Sequence, residues 1–109
     1  MEFDRVPCNV HELKILPKWF NDICDHGKNF EIRKADRNYC VGDYLILKEW
    51  ESGGYSGNYL VRRIAYRYDG DGNYGLSEGY CVLGLAPSPY LVVIETDDGK
   101  KYISMGERK

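Results

Sequence analysis

The densest set of side chains able to do chemistry lies between Lys28 and Arg37, where Lys28, Arg33, Lys34 and Arg37 face Glu31 and Asp36. Lys28 to Lys34 alternates in polarity, which predicts a strand with Phe30 and Ile32 on one face and Asn29, Glu31 and Arg33 on the other. Two positions apart on one face, Glu31 and Arg33 have Cα atoms ~6–7 Å from each other. At that spacing Arg33 can reach the Glu31 carboxylate and still offer N–H donors to a phosphate or a base edge. Lys28, at the entry to the strand, can swing over the same face. A carboxylate flanked by two cations suits a ligand that both donates and accepts hydrogen bonds, such as a nucleobase with its phosphate. The plainer use of the same residues is a solvated strand face with a structural ion pair, since surface charge commonly does no more than that. In an enzyme, Lys28 and Glu31 would be the acid–base pair.

Other constellations are weaker. Cys8-x-x-His11 with Cys24-x-His26 has loose spacing for a zinc site, and Cys24 falls on an apolar helix face where cysteine acts as a small hydrophobe. No metal or cofactor is expected. Asp69-Gly70-Asp71-Gly72-Asn73 is rich in oxygen ligands but lacks the distal glutamate of a twelve-residue calcium loop, so it is expected to be a turn. Ten tyrosines could supply base-stacking platforms, although tyrosine is also a favoured strand residue. Trp50, Tyr55 and Tyr80 are the stacking candidates. His11 is expected near the opening of the fold, held by a hydrogen bond, and completes the ligand-binding set of Lys28, Glu31, Arg33, Lys34, Arg37, His11, Trp50, Tyr55 and Tyr80.

The elements that must position these residues follow from periodicity. His11 to Ile15 alternates, with Leu13 and Ile15 inward. Pro17 is favoured at a first helical position, and Trp19, Phe20, Ile23 and Cys24 follow at the spacing of one apolar helix face. Gly27 is placed to end that helix, which is expected over about residues 17–25. Tyr44 to Trp50, Tyr59 to Tyr68 and Tyr80 to Leu85 are expected strands, the last covered on both faces. The segment from Ser52 to Gly57 is an expected hairpin loop. Ala86-Pro87-Ser88-Pro89 resembles a linker, and Tyr90 to Thr96 with Lys101 to Met105 flank the turn sequence Asp97-Asp98-Gly99-Lys100. The expected organisation is a leader over residues 1–9, one domain over 10–86, and a hairpin extension of that domain over 87–109. The fold class is mostly β (α+β): a small, partly open barrel with one early helix.

Composition sets the outer bounds. One domain fits 109 residues. Fifteen basic against 17 acidic residues leave a net charge of −2, which argues against coating long duplexes by bulk attraction. Mean hydropathy is −0.53, and no apolar run approaches the ~20 residues needed to cross a bilayer. The opening Met1-Glu2-Phe3-Asp4 lacks the features of a secretion signal, so a cytoplasmic protein with reduced cysteines, monomeric or weakly dimeric and free of membrane, is expected.

Several motifs carry a family resemblance. Lys28-x-x-Glu31-x-Arg33 resembles the core of the ASCH signature, G-x-K-x-x-E-x-R, within the PUA superfamily. His11-Glu12-Leu13-Lys14-Ile15, Phe30-Glu31-Ile32-Arg33-Lys34-x-Asp36-Arg37, Val41-Gly42-Asp43, Lys48-Glu49-Trp50, Tyr55-Ser56-Gly57 and Glu78-Gly79-Tyr80-Cys81-Val82-Leu83-Gly84 resemble, in order, a bacterial and phage branch of unknown function. The resemblance covers about residues 10 to 85. It implies a PUA-like barrel with an RNA-binding cleft between helix and strands, lined by Lys28, Glu31 and Arg33. One departure is that Gly27 sits one residue later than the motif glycine, whose place His26 holds. Some ASCH relatives hydrolyse an acetylated cytidine with a Lys, a Thr and a Glu; Lys28 matches the Lys, but Glu31 occupies the Thr position, and Cys24 or Cys40 would be substitute nucleophiles without an evident partner. The expectation is therefore an RNA- or nucleotide-binding module, modified bases included. The alternatives are a hydrolase of a modified nucleoside or RNA, and a protein-interaction module using the terminal hairpin, whose removal (residues 90–109) should spare the cleft.

Overall fold

Alternating side chains separated by glycine turns make a mostly β protein with a single early helix among the described residues. The computed structural model describes residues 9–87 and 92–104. The elements run β1 (Val10–Ile15), α1 (Pro17–Asp25), β2 (Phe30–Lys34), β3 (Tyr44–Glu51), β4 (Gly54–Asp69), β5 (Tyr80–Pro87), β6 (Val92–Glu95) and β7 (Lys101–Ser104). β1 to β5 form one sheet in the order β1-β3-β4-β5-β2, and β6 pairs with β7 as a second, antiparallel one. β1 runs parallel to β3, from Val10 opposite Tyr44 to Ile15 opposite Glu49. Such a pair needs a crossover connection, here supplied by α1 and β2. The remaining neighbours are antiparallel.

The five-stranded sheet does not lie flat. Its register shifts between Lys48 and Trp50 on β3 and between Ile64 and Tyr66 on β4, and irregularities of this kind bend strands and add twist. At the second shift Gly84 lies so close to Tyr66 that a Cβ there would stand 3.2 Å from the tyrosine Cβ. The sheet curls into a half-barrel, and its two edges, β1 and β2, come within reach of each other: Arg33 Nη2 donates to the Lys14 carbonyl at 2.9 Å.

Two cores hold this shape. Leu13, Ile15, Ile23, Tyr39, Leu45, Leu47, Ile64, Cys81, Leu83 and Leu85 fill the inside of the curl, with α1 contributing Ile23. On the outside, Ile46 and Val61 are covered by Ile94 of β6 and Tyr102 of β7. No helix among the described residues is long and apolar enough to cross a membrane.

Several expectations change on contact with the structure. The loop expected from Ser52 to Gly57 shrinks to a two-residue turn, because Ser52 and Gly53 both take positive φ (54° and 84°), the geometry that two-residue hairpins favour. β4 then begins at Gly54, and Tyr55 pairs with Trp50. β5 is not covered on both faces: Cys81, Leu83 and Leu85 point inward, while Tyr80 on the other face is exposed. β5 also runs through Ala86 and Pro87, where a linker was expected; Ser88 to Leu91 lie outside the described residues, as do residues 1–8 and Met105 onward. Of the expected apolar helix face only Ile23 is buried, and Trp19 is 41% exposed. Removing residues 90–109 would uncover Ile46 and Val61, so β6 and β7 are part of the packing and not a detachable appendage.

Candidate functional site

A cleft of about 530 Å³ opens between the end of β1, the start of α1 and β2, lined by Lys14, Ile15, Leu16, Trp19, Lys28, Phe30, Glu31, Ile32 and Arg33. Its shape is set by the turn out of α1. Asp22 O accepts from both His26 N (3.1 Å) and Lys28 N (3.0 Å), and between them Gly27 takes φ +73°, a region that favours glycine. The turn releases Lys28 directly into the cleft.

β2 presents the reverse of an ordinary amphipathic strand. Its apolar residues Phe30 (40%) and Ile32 (53%) are exposed, whereas Glu31 is 5% exposed. The charged face is the inward one, so the structural ion pair expected on a solvated face is instead a buried one. Lys28 Nζ lies 3.3 Å from Glu31 Oε2 and 5.1 and 5.3 Å from the ring centres of Trp19 and Phe30, within cation–π range. Arg33 Nη2, committed to the Lys14 carbonyl, approaches Glu31 Oε1 only to 3.9 Å. Two buried polar atoms consequently lack a hydrogen-bond partner among the described residues: Glu31 Oε1 and Arg33 Nε. One is an acceptor and the other a donor, and each unsatisfied buried group costs roughly 1–3 kcal/mol.

The other residues singled out from sequence are elsewhere. Lys34 and Arg37 are exposed on the far side of Arg33, around a smaller recess of about 230 Å³ shared with Leu13, Asp36 and Tyr39. His11 is buried beneath that recess. Its Nε2 lies 2.9 Å from Asp43 Oδ2 and its ring centre 4.8 Å from that of Tyr39. Asp43 also accepts from the backbone N–H groups of Asn9 (3.1 Å) and Cys40 (2.9 Å). Burial pushes the Asp43 carboxyl up, but the hydrogen bonds from His11, Cys40 and Asn9 outweigh it and hold the group below the ordinary carboxylate value. Trp50 sits outside the curl under Lys14 Nζ (4.7 Å), and Tyr55 under Lys48 Nζ (4.4 Å). Tyr80 is on the outer face of β5, opposite Lys34. Cys40 is exposed and lines neither space, and burial raises the Cys81 thiol. The residue that sequence reasoning missed is Trp19. Its helical spacing assigned it to the core, yet nine residues of helix cover only part of the gap, leaving the ring at the cleft mouth.

A mostly β half-barrel with a helix-roofed cleft built on K-x-x-E-x-R defines the class. The chain belongs to the family described as Domain of unknown function (DUF3850), whose model matches residues 10–85. It is similar to the "Uncharacterized 12.9 kDa protein in GpA 3'region" of Escherichia phage P2, with 44% identity over 55 residues, 50% of each chain. The chain thus spans about half the length of the curated relative it matches.

Proposed function

We propose that this protein is a binding module for RNA or a nucleotide, and that its cleft takes one nucleobase, modified bases included. The observation carrying this is that Glu31 Oε1 and Arg33 Nε, on two residues lining a cleft walled by Trp19 and Phe30, are buried without a hydrogen-bond partner among the described residues. A nucleobase edge offers a donor beside an acceptor, and its flat faces suit stacking on an aromatic ring, worth ~1–3 kcal/mol per base. The volume falls within the ~300–1,000 Å³ usual for small-molecule sites. It suits a base splayed from a single strand, the usual target of sequence-specific RNA recognition. The ASCH-like motif is consistent with this use, and we place the fold among PUA-like barrels on the same proposal. Among the described residues that line the cleft none carries a hydroxyl or thiol, so the hydrolase alternative would rest on Lys28 and Glu31.

The test is a thermal-shift screen of nucleosides, nucleotides, modified nucleosides and short RNAs, with hits titrated against Lys28→Ala and Glu31→Gln. The expected result is a hit whose affinity falls at least about tenfold in both variants, the loss of one charge-assisted contact. Hits that bind both variants as well as the parent would show that the cleft is not the site.

A further inference from the structure

The cleft is poorly suited to the phosphate of the ligand proposed for it. Lys28 is already paired with Glu31 at 3.3 Å, and Arg33 Nη2 with the Lys14 carbonyl at 2.9 Å. A phosphate entering beside them would also stand near the buried Glu31 carboxylate, and like charges at close range repel. The recess on the other side of Arg33 has the larger surplus of positive charge, with Arg33, Lys34 and Arg37 on its lining against one carboxylate, the exposed Asp36. Lys34 and Arg37 are both exposed at its rim, and neither makes an ion pair among the described residues. Arg33 lines both spaces and forms the wall between them.

The floor of the recess is also fixed. Tyr39 is 3% exposed; its carbonyl accepts from Arg67 Nη1 at 2.7 Å, and its ring rests against His11, which Asp43 anchors. A fixed floor, two cations without an ion pair among the described residues and a wall shared with the base pocket offer an anion a net positive site, Asp36 being the one carboxylate on its lining.

We infer that the recess is a phosphate subsite held by Lys34 and Arg37, so that the ligand is a nucleoside bearing a phosphate, as monoester or diester, with its base on one side of Arg33 and its phosphate on the other. This rests on the cleft being a base pocket. Arginine offers a fork matched to two phosphate oxygens and lysine a point charge.

Calorimetric titrations of the full chain would use the four ribonucleosides, their 5′- and 3′-monophosphates, the dinucleoside monophosphates and inorganic phosphate. The proteins compared would be the parent, Lys34→Ala/Arg37→Ala and Glu31→Gln. For whichever nucleoside binds, a phosphate should strengthen binding about tenfold, the size of one charge-assisted hydrogen bond. Lys34→Ala/Arg37→Ala should erase that gain while leaving nucleoside affinity within about twofold, and Glu31→Gln should weaken nucleoside and nucleotide alike. A gain from monophosphates alone would mark a free nucleotide; a gain shared by dinucleotides would mark a strand. A phosphate gain that survives in Lys34→Ala/Arg37→Ala, or no gain in the parent, would overturn the subsite and leave the base pocket standing. Failure of every nucleoside and nucleotide to bind the parent would overturn both.

Discussion

At the scale of single residues, Glu31 is the most informative side chain, because it is buried, charged and incompletely satisfied. Removing one member of a buried ion pair leaves an uncompensated charge, whereas replacing both by apolar groups of similar volume is often neutral or stabilising. Lys28→Met alone should therefore lose roughly 2–4 kcal/mol in urea unfolding. Lys28→Met/Glu31→Met should recover most of that loss and yet bind no nucleotide. A double variant that is both unstable and competent to bind would contradict a pair retained for ligand recognition. Asp43 plays the opposite part, as a satisfied carboxylate with a purely supporting role. Its folded pKa lies below the ordinary value of 3.8, so its stabilisation is fully present above that value and is lost as pH falls through the folded value. Asp43→Asn should cost about 1–3 kcal/mol near neutral pH. The gap between parent and variant should narrow as the pH is taken below 3.8 and through the lowered folded value; a gap independent of pH would count against the hydrogen-bonded carboxylate as its cause.

At the scale of elements, α1 does two jobs with different residues. Ile23 is 7% exposed and anchors the helix on the inner core, whereas Trp19 is 41% exposed and walls the cleft. Ile23→Ala should cost roughly 2–4 kcal/mol. Trp19→Ala should cost little stability but weaken nucleotide binding about tenfold, the equivalent of one lost stacking contact. Equal losses of stability would show Trp19 to be core after all. The same contrast explains what was legible in the sequence. Alternation and turn chemistry located the helix and most strands closely, because burial on one face imposes its period. Sequence patterning also grouped Lys28, Glu31 and Arg33, since two-residue spacing on a strand puts side chains on one face. It did not reveal which face of β2 would be inward. Apolar Phe30 and Ile32 would ordinarily be buried, and only the curl of the sheet, set by register shifts and the Gly84–Tyr66 approach, turns Glu31 inside. Nor could local pattern foresee that Arg33 would divide two spaces, or that Trp50 and Tyr55 would lie outside the curl, because both depend on how distant strands meet.

At the scale of the whole molecule, the site exists because a five-stranded sheet curls without closing. Its edges are bridged through Arg33 and the Lys14 carbonyl and roofed by α1, while β6 and β7 back the outer face. Ile94→Ala, which thins the packing on Ile46 and Val61, should lose roughly 2–4 kcal/mol while leaving ligand affinity unchanged, since it touches no cleft residue. A change in affinity without a change in stability would be the wrong outcome. The most direct test of the central claim follows the Arg33 Nε–H itself by ¹H–¹⁵N NMR while the best-binding nucleoside or nucleotide is titrated in. That proton, unpartnered in the ligand-free protein, should shift and saturate together with the Trp19 indole N–H, and slow its exchange with water as it gains an acceptor. Saturable binding that leaves both signals in place would contradict a base held between Glu31 and Arg33.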